Sequence, residues 1–108
     1  MKRGAIVVVA ARGASGKPRP AVVVQSDLFN PTHASVTICP ITPDCVDAPL
    51  FRLTLPLGAR TGLKSVSQVM IDKIVSVPRG AISGETGHCD VGELDAVNDG
   101  LRRWLELA

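Results

Sequence analysis

The chain has 108 residues, 45% of them hydrophobic, a formal net charge of +2 and only three aromatic side chains, Phe29, Phe51 and Trp104. Length and composition fit one globular domain spanning residues 1–108, with a single core, and exclude a disordered chain. The scarcity of rings argues against a base-stacking platform, and no apolar run approaches the roughly 20 residues of a membrane span.

The start of the chain superficially resembles a short signal peptide, but Arg12 interrupts the apolar run, and removing it would cost a small domain a good strand. Residues 5–11 therefore read as a buried strand. Residues 12–17, Arg-Gly-Ala-Ser-Gly-Lys, form a basic loop that lacks the order of a phosphate-binding P-loop. A second strand follows over 21–25. At its entrance Pro18 and Pro20 bracket Arg19 and restrict the backbone on both sides of it. The guanidinium then has little freedom left to lose, which suits a planar group receiving an oxyanion, although a surface arginine at a strand start has the same sequence.

Asn30-Pro31 marks a turn, and residues 35–41 alternate as a third strand, with Pro40 expected to confine it to an edge or a strand end. Thr42-Pro43-Asp44 closes it. Residues 51–57 alternate as a fourth strand. Residues 67–77 hold one or two more, with Asp72-Lys73 in the middle, and three glycines make 78–89 read as irregular. From Asp90 the period changes to 3–4 through Leu94, Val97, Leu101, Leu105 and Ala108. Asp90 and Glu93 stand at capping-box spacing, and Trp104 reads as part of the apolar stripe. Gly100 predicts close packing against the sheet. The fold expected is mainly β: a small twisted antiparallel, barrel-like sheet of five or six strands with one C-terminal helix.

Charge is segmented. Residues 1–26 carry +5, 27–50 carry −3, 51–79 carry +4 and 80–108 carry −4. Two basic segments that met in space would attract anions on a nearly neutral protein. Three cysteines without C-x-x-C spacing fit reduced thiols in the cytoplasm, and nothing forms a metal signature. His88-Cys89-Asp90 fits a helix entry better than a ligand set, and His33 fits a solvated loop.

Several stretches resemble the PemK/MazF toxins of bacterial type II toxin–antitoxin systems: Arg3-Gly4-Ala5-Ile6-Val7, Arg19-Pro20-Ala21-Val22-Val23-Val24, Val36 to Thr42, Leu63 to Asp72 and the terminal helix. The resemblance implies an SH3-like barrel with a C-terminal helix that forms a homodimer. It also implies cleavage of single-stranded mRNA without metal or cofactor, and an acidic antitoxin that covers the basic loop. It carries catalytic roles to Arg19, Thr42 and Asp72, and RNA contacts to Arg12, Lys17 and Lys73. Lys73 stands where the family usually has Gln, Met70 where one branch has Arg, and the loop before Arg19 has no His, so no general base is assigned. Cleavage by a substrate's own 2′-hydroxyl needs in-line geometry, proton transfers and positive charge where the phosphorane forms. Arg19 suits the charge, Thr42 a hydrogen bond to a non-bridging oxygen, and Asp72 either the positioning of a hydroxyl or service as a base. Read alone, Thr42 is equally a turn residue and Asp72 a partner of Lys73 or Arg79. Two alternatives are a gyrase-binding toxin similar to CcdB and an inactive relative that only binds an antitoxin.

Overall fold

The computed structural model describes residues 1–10 and 17–108. Seven strands run β1 (Ala5–Val9), β2 (Arg19–Val23), β3 (Ser35–Thr42), β4 (Arg52–Leu55), β5 (Ser67–Met70), β6 (Val75–Pro78) and β7 (Ile82–His88), followed by the helix α1 (Val91–Leu105). All pairings are antiparallel in the order β4-β5-β3-β2-β1-β7, with β6 also pairing to β3.

The strand β3 is the hub, not an edge. Residues Val23 to Ala21 of β2 lie along one side, opposite Ile38 to Pro40. On the other side β6 pairs with Ser35 to Ile38 and β5 with Ile41 and Thr42. Pro40 is tolerated because of this fork. The Val24 amide donates to the Thr37 carbonyl at 3.1 Å, and alternation along an antiparallel ladder then turns the Pro40 nitrogen away from β2. It faces the gap between Ile38, the last residue paired with β6, and Ile41, the first paired with β5, where no donor is required. Pro20, by the same alternation, faces β3 without an N–H, and the β2–β3 ladder ends one residue before it, at Ala21 and Pro40.

Alternation along the strands sorts side chains onto two faces, and each face has its own buried cluster, where one core was expected. Ile6, Val22, Cys39, Ile41, Leu55, Val69 and Ile71 face α1 and meet its Val97 and Leu101. Ala5, Val7, Val9, Ala21, Val23, Val36 and Ile38 form the opposite cluster, flanked by Val77, Ala81 and Ile82. Fully burying each Val, Ile or Leu among them is worth about 1.5–3 kcal/mol, so neither face is dispensable.

Helix α1 starts as its sequence requires. The Asp90 carboxylate accepts from the Glu93 amide at 2.7 Å, and the Glu93 carboxylate accepts from the Asp90 amide at 2.9 Å. Arg60 grips Glu93 with both terminal nitrogens, at 2.7 and 2.9 Å, which ties the helix entry to the turn after β4. Gly100 is buried against Ile71, and a Cβ there would stand 2.4 Å from the Ile71 Cδ1. The apolar stripe ends sooner than its spacing predicts. Leu105 is exposed, Ala108 lies beyond the helix, and Trp104 is half-exposed, tilted against Phe51 at 5.7 Å.

The largest departure from the sequence reading is β7. Residues expected to be irregular pair with β1 from Ile82 to His88. Gly87 is required because the strand runs close under neighbouring backbone there, whereas Gly84 faces open space. A Cβ on Gly87 would sit 2.2 Å from the Arg60 carbonyl oxygen.

Candidate active site

Arg19 opens β2 and Thr42 closes β3. Continuing the β2–β3 register two residues past Ala21–Pro40 sets Arg19 across from Thr42, on the sheet face that carries Ala21, Val23 and Ile38. On its other side Thr42 pairs with Gln68, and Gln68 with Thr54. Four polar side chains therefore lie in one row at one end of the sheet: Arg19, Thr42, Gln68 and Thr54.

Arg19 is exposed and has no ion-pair partner among the described residues. Beside it runs a groove of about 470 Å³ lined almost wholly by apolar groups, including Val9, Pro20, Pro40, Val75 and Val77. A guanidinium at the mouth of an apolar groove is weakly screened on one side, which strengthens its pull on an anion. The Thr42 hydroxyl accepts the Asp44 amide proton at 3.1 Å. Its own proton has no acceptor among the described residues and is free to be donated outward.

Asp72 lies elsewhere. It belongs to the 3₁₀ turn Ile71–Lys73 after β5, four residues past Gln68, on the order of 10 Å along the chain direction. Its Oδ1 is 3.3 Å from the Arg52 Nε, and both side chains are largely buried. The two atoms are close enough to form an ion pair but are not aligned as a hydrogen bond, and neither has another partner among the described residues. The Asp72 partner is thus Arg52, not Lys73 or Arg79. Lys73 is exposed beside it and Lys17 is exposed ahead of β2, while Arg12 falls outside the described residues.

The second basic segment is only partly neutralised, with Lys64 and Lys73 exposed and without an ion-pair partner among the described residues. Arg52 is matched by Asp72, Arg60 by Glu93 and Asp90, and Arg79 donates to the carbonyls of His33 and Asn30. Burial pushes the thiols of Cys39 and Cys89 up, to about 12 and about 11, so neither is a nucleophile at neutral pH. Among the described residues no group of three or more His, Cys, Asp or Glu is placed to hold a metal. His88 is exposed at the end of β7, where its carbonyl receives Arg60, and His33 is exposed with its ring edge-on to Phe29.

Sequence reasoning overlooked Gln68 and Arg52. A lone amide between Val66 and Val69 in an apolar strand was the available signal for Gln68. Arg52 alternates like any solvated strand residue and gave none.

The chain resembles known proteins along its whole length. It is 46% identical over 109 residues to the Probable endoribonuclease MazF of Mycolicibacterium smegmatis, covering 100% of this chain and 99% of that protein. Among solved structures, the Mycobacterium tuberculosis toxin MazF-mt6 superposes with a TM-score of 0.83 at 19% identity, over 96% of this chain and 98% of that one. The MazE-MazF structure (Form-II) from Deinococcus radiodurans gives 0.81 at 22%, over 100% and 97%. These two likenesses establish a shared fold. Residues 2–105 match the family model of the PemK-like, MazF-like toxins of type II toxin–antitoxin systems, and the chain belongs to that family.

Proposed function

We propose that the chain is an endoribonuclease that cuts single-stranded RNA by attack of the substrate's own 2′-oxygen, with no metal or cofactor. One observation carries the reading: an exposed cation and a hydroxyl proton, each without a partner among the described residues, stand at the same end of neighbouring strands. Arg19 holds the non-bridging oxygens of the scissile phosphate and Thr42 donates to one of them as charge accumulates there. The 2′-oxygen bonds to phosphorus and the bond to the 5′-oxygen breaks. The 2′-hydroxyl proton passes to a base and another proton reaches the leaving oxygen. The products are a 2′,3′-cyclic phosphate and a 5′-hydroxyl. Lys17, Lys73 and Arg12 of the preceding loop hold flanking phosphates. In this proposal Asp72 ties the turn Ile71–Lys73 to Arg52 on β4, at a remove from the reacting atoms. The relative named as an endoribonuclease, 46% identical over the full chain, supports the same activity.

The test is cleavage of naked RNA in EDTA, with analysis of the ends. Arg19→Ala should slow cleavage by ~10²-fold or more, and Arg19→Lys should recover only part, because an ammonium keeps the charge without the planar fork. RNA with a 2′-deoxy residue at the cut site should bind and resist cleavage. Products with 5′-phosphates, or activity lost in EDTA, would remove Arg19 from the centre. Absence of any cleavage would favour the gyrase-binding or inactive alternatives.

The partners follow from family membership and charge. The first segment of the chain carries +5 and matches an acidic antitoxin, whose protection should weaken as salt rises. A homodimer would cover sheet surface that this short chain leaves open. Its site of action is the cytoplasm, where RNA and reduced thiols coexist; no helix among the described residues is long and apolar enough to cross a membrane.

A further inference from the structure

Gln68 is the one buried side-chain amide in the row that holds Thr42 and Arg19, 7% exposed. Its bonds run out of the sheet. Its Nε2 donates to the Val46 carbonyl at 2.9 Å, and its Oε1 accepts the Val46 amide proton at 3.0 Å. The carboxamide thus pairs with both backbone groups of one loop residue, as a neighbouring strand would. Val46 is itself half-exposed, in a segment without helix or strand. Two residues back, the Asp44 amide donates to the Thr42 hydroxyl.

We propose that Gln68 is a positioning residue for RNA cleavage: its clamp on Val46 fixes the segment that delivers the Asp44 N–H to Thr42. That N–H fills one lone pair of the Thr42 oxygen and leaves the hydroxyl to act as a donor. The inference rests on the role given to Thr42 above.

The physical reason is directional. A threonine hydroxyl rotates freely and both donates and accepts. In the chemistry proposed it must donate to a phosphate oxygen, and the rotamer has to be in place before charge develops. The Asp44 amide selects that role because it can only donate. A turn of a few residues holds such a geometry poorly unless something beyond it is fixed. Gln68 supplies the fixed point from a buried strand position.

The test combines protection and kinetics on the full-length protein. In the wild type the Val46 amide should exchange with solvent much more slowly than its exposed position implies, and Gln68→Leu should abolish that protection. Gln68→Leu should lower the single-turnover cleavage rate about tenfold, the scale of one lost neutral hydrogen bond. Binding of the 2′-deoxy RNA should stay within about twofold, because Gln68 never touches substrate. Gln68→Glu keeps the acceptor for the Val46 amide and loses the donor, so its loss should be intermediate. Introduced into Thr42→Val, Gln68→Leu should cost little further, since both act through one hydroxyl. An unprotected Val46 amide in the wild type would overturn the clamp without any variant, should Gln68→Leu fail to fold. Losses that multiply in the double variant would overturn the route through Thr42 and leave the Thr42 role intact. Normal cleavage by Thr42→Val would overturn that role and this inference together.

Discussion

Gly100 and Ile71 form a contact whose energetics can be worked in both directions. In Gly100→Ala the helix gains about 1 kcal/mol of intrinsic propensity. The new methyl, however, lands 2.4 Å from the Ile71 Cδ1, with Cγ1 and Cγ2 at an ordinary 3.6 Å. Overpacking of this kind costs about 1–3 kcal/mol, so the net effect should be a loss near 1 kcal/mol, or roughly 4–8 °C in Tm for a domain of this size. Ile71→Val removes only the offending Cδ1 and on its own costs about 0.5–1.5 kcal/mol. In that background Gly100→Ala should change sign and stabilise by about 1 kcal/mol, a coupling near 2 kcal/mol. The measurement is a double-variant cycle from urea unfolding at one fixed protein concentration, because self-association would shift the midpoint. Additive effects within about 0.5 kcal/mol, or a stabilising Gly100→Ala alone, would refute the reasoning. The same four proteins report on activity, since Ile71 begins the turn that carries Asp72.

Three further predictions concern charge and thiols. Asp72→Asn should destabilise by about 1–3 kcal/mol, as it leaves a largely buried Arg52 without its counter-charge, while cleavage per folded molecule stays within a few-fold; a loss of ~10²-fold with unchanged stability would return Asp72 to proton transfer. Cys45 is exposed and should be the single thiol that reacts rapidly with a thiol reagent in the folded protein, an outcome Cys45→Ser should erase. Burial holds Cys39 and Cys89 protonated well above their ordinary 9.0, so between about pH 9 and 11–12 the unfolded chain binds fewer protons than the folded one. Stability should therefore fall as pH rises through that window, and an alkaline unfolding curve that stays flat would contradict the burial.

The sequence was informative where side chains repeat a period or satisfy a local rule. The capping box at Asp90 and Glu93, the close approach at Gly100 and the strands rich in Val and Ile are all local signals, and all are present. Strand β7 escaped because it is largely exposed and pairs on one side only, leaving no apolar alternation to read. Pro40 misled for a related reason. Its tolerance depends on a fork between two partner strands that lie 25 or more residues downstream, and no local pattern encodes that. The site divided along the same line. Arg19 and Thr42 carry motif signals, and the β2–β3 register, extended past its last pair, sets them across from each other. The pairing of Asp72 with Arg52 and the reach of Gln68 to Val46 depend on tertiary placement alone.

The pairing of β1 with β7 also bears on how the chain is born. One flank of β1 can be covered as soon as β2 appears, but the other waits for residues 82–88, and α1 comes later still. At synthesis rates of about 5–20 residues per second the interval from Val23 to Leu105 lasts roughly 4–16 s. During it the nascent chain holds Arg19 and Thr42 on strands whose sheet is unfinished and whose helix-facing cluster is open to water. A transcript cut or stalled before the codons for β7 should yield fragments with both motifs present and no competent enzyme, so the strand order withholds toxicity until β7 and α1 have been made.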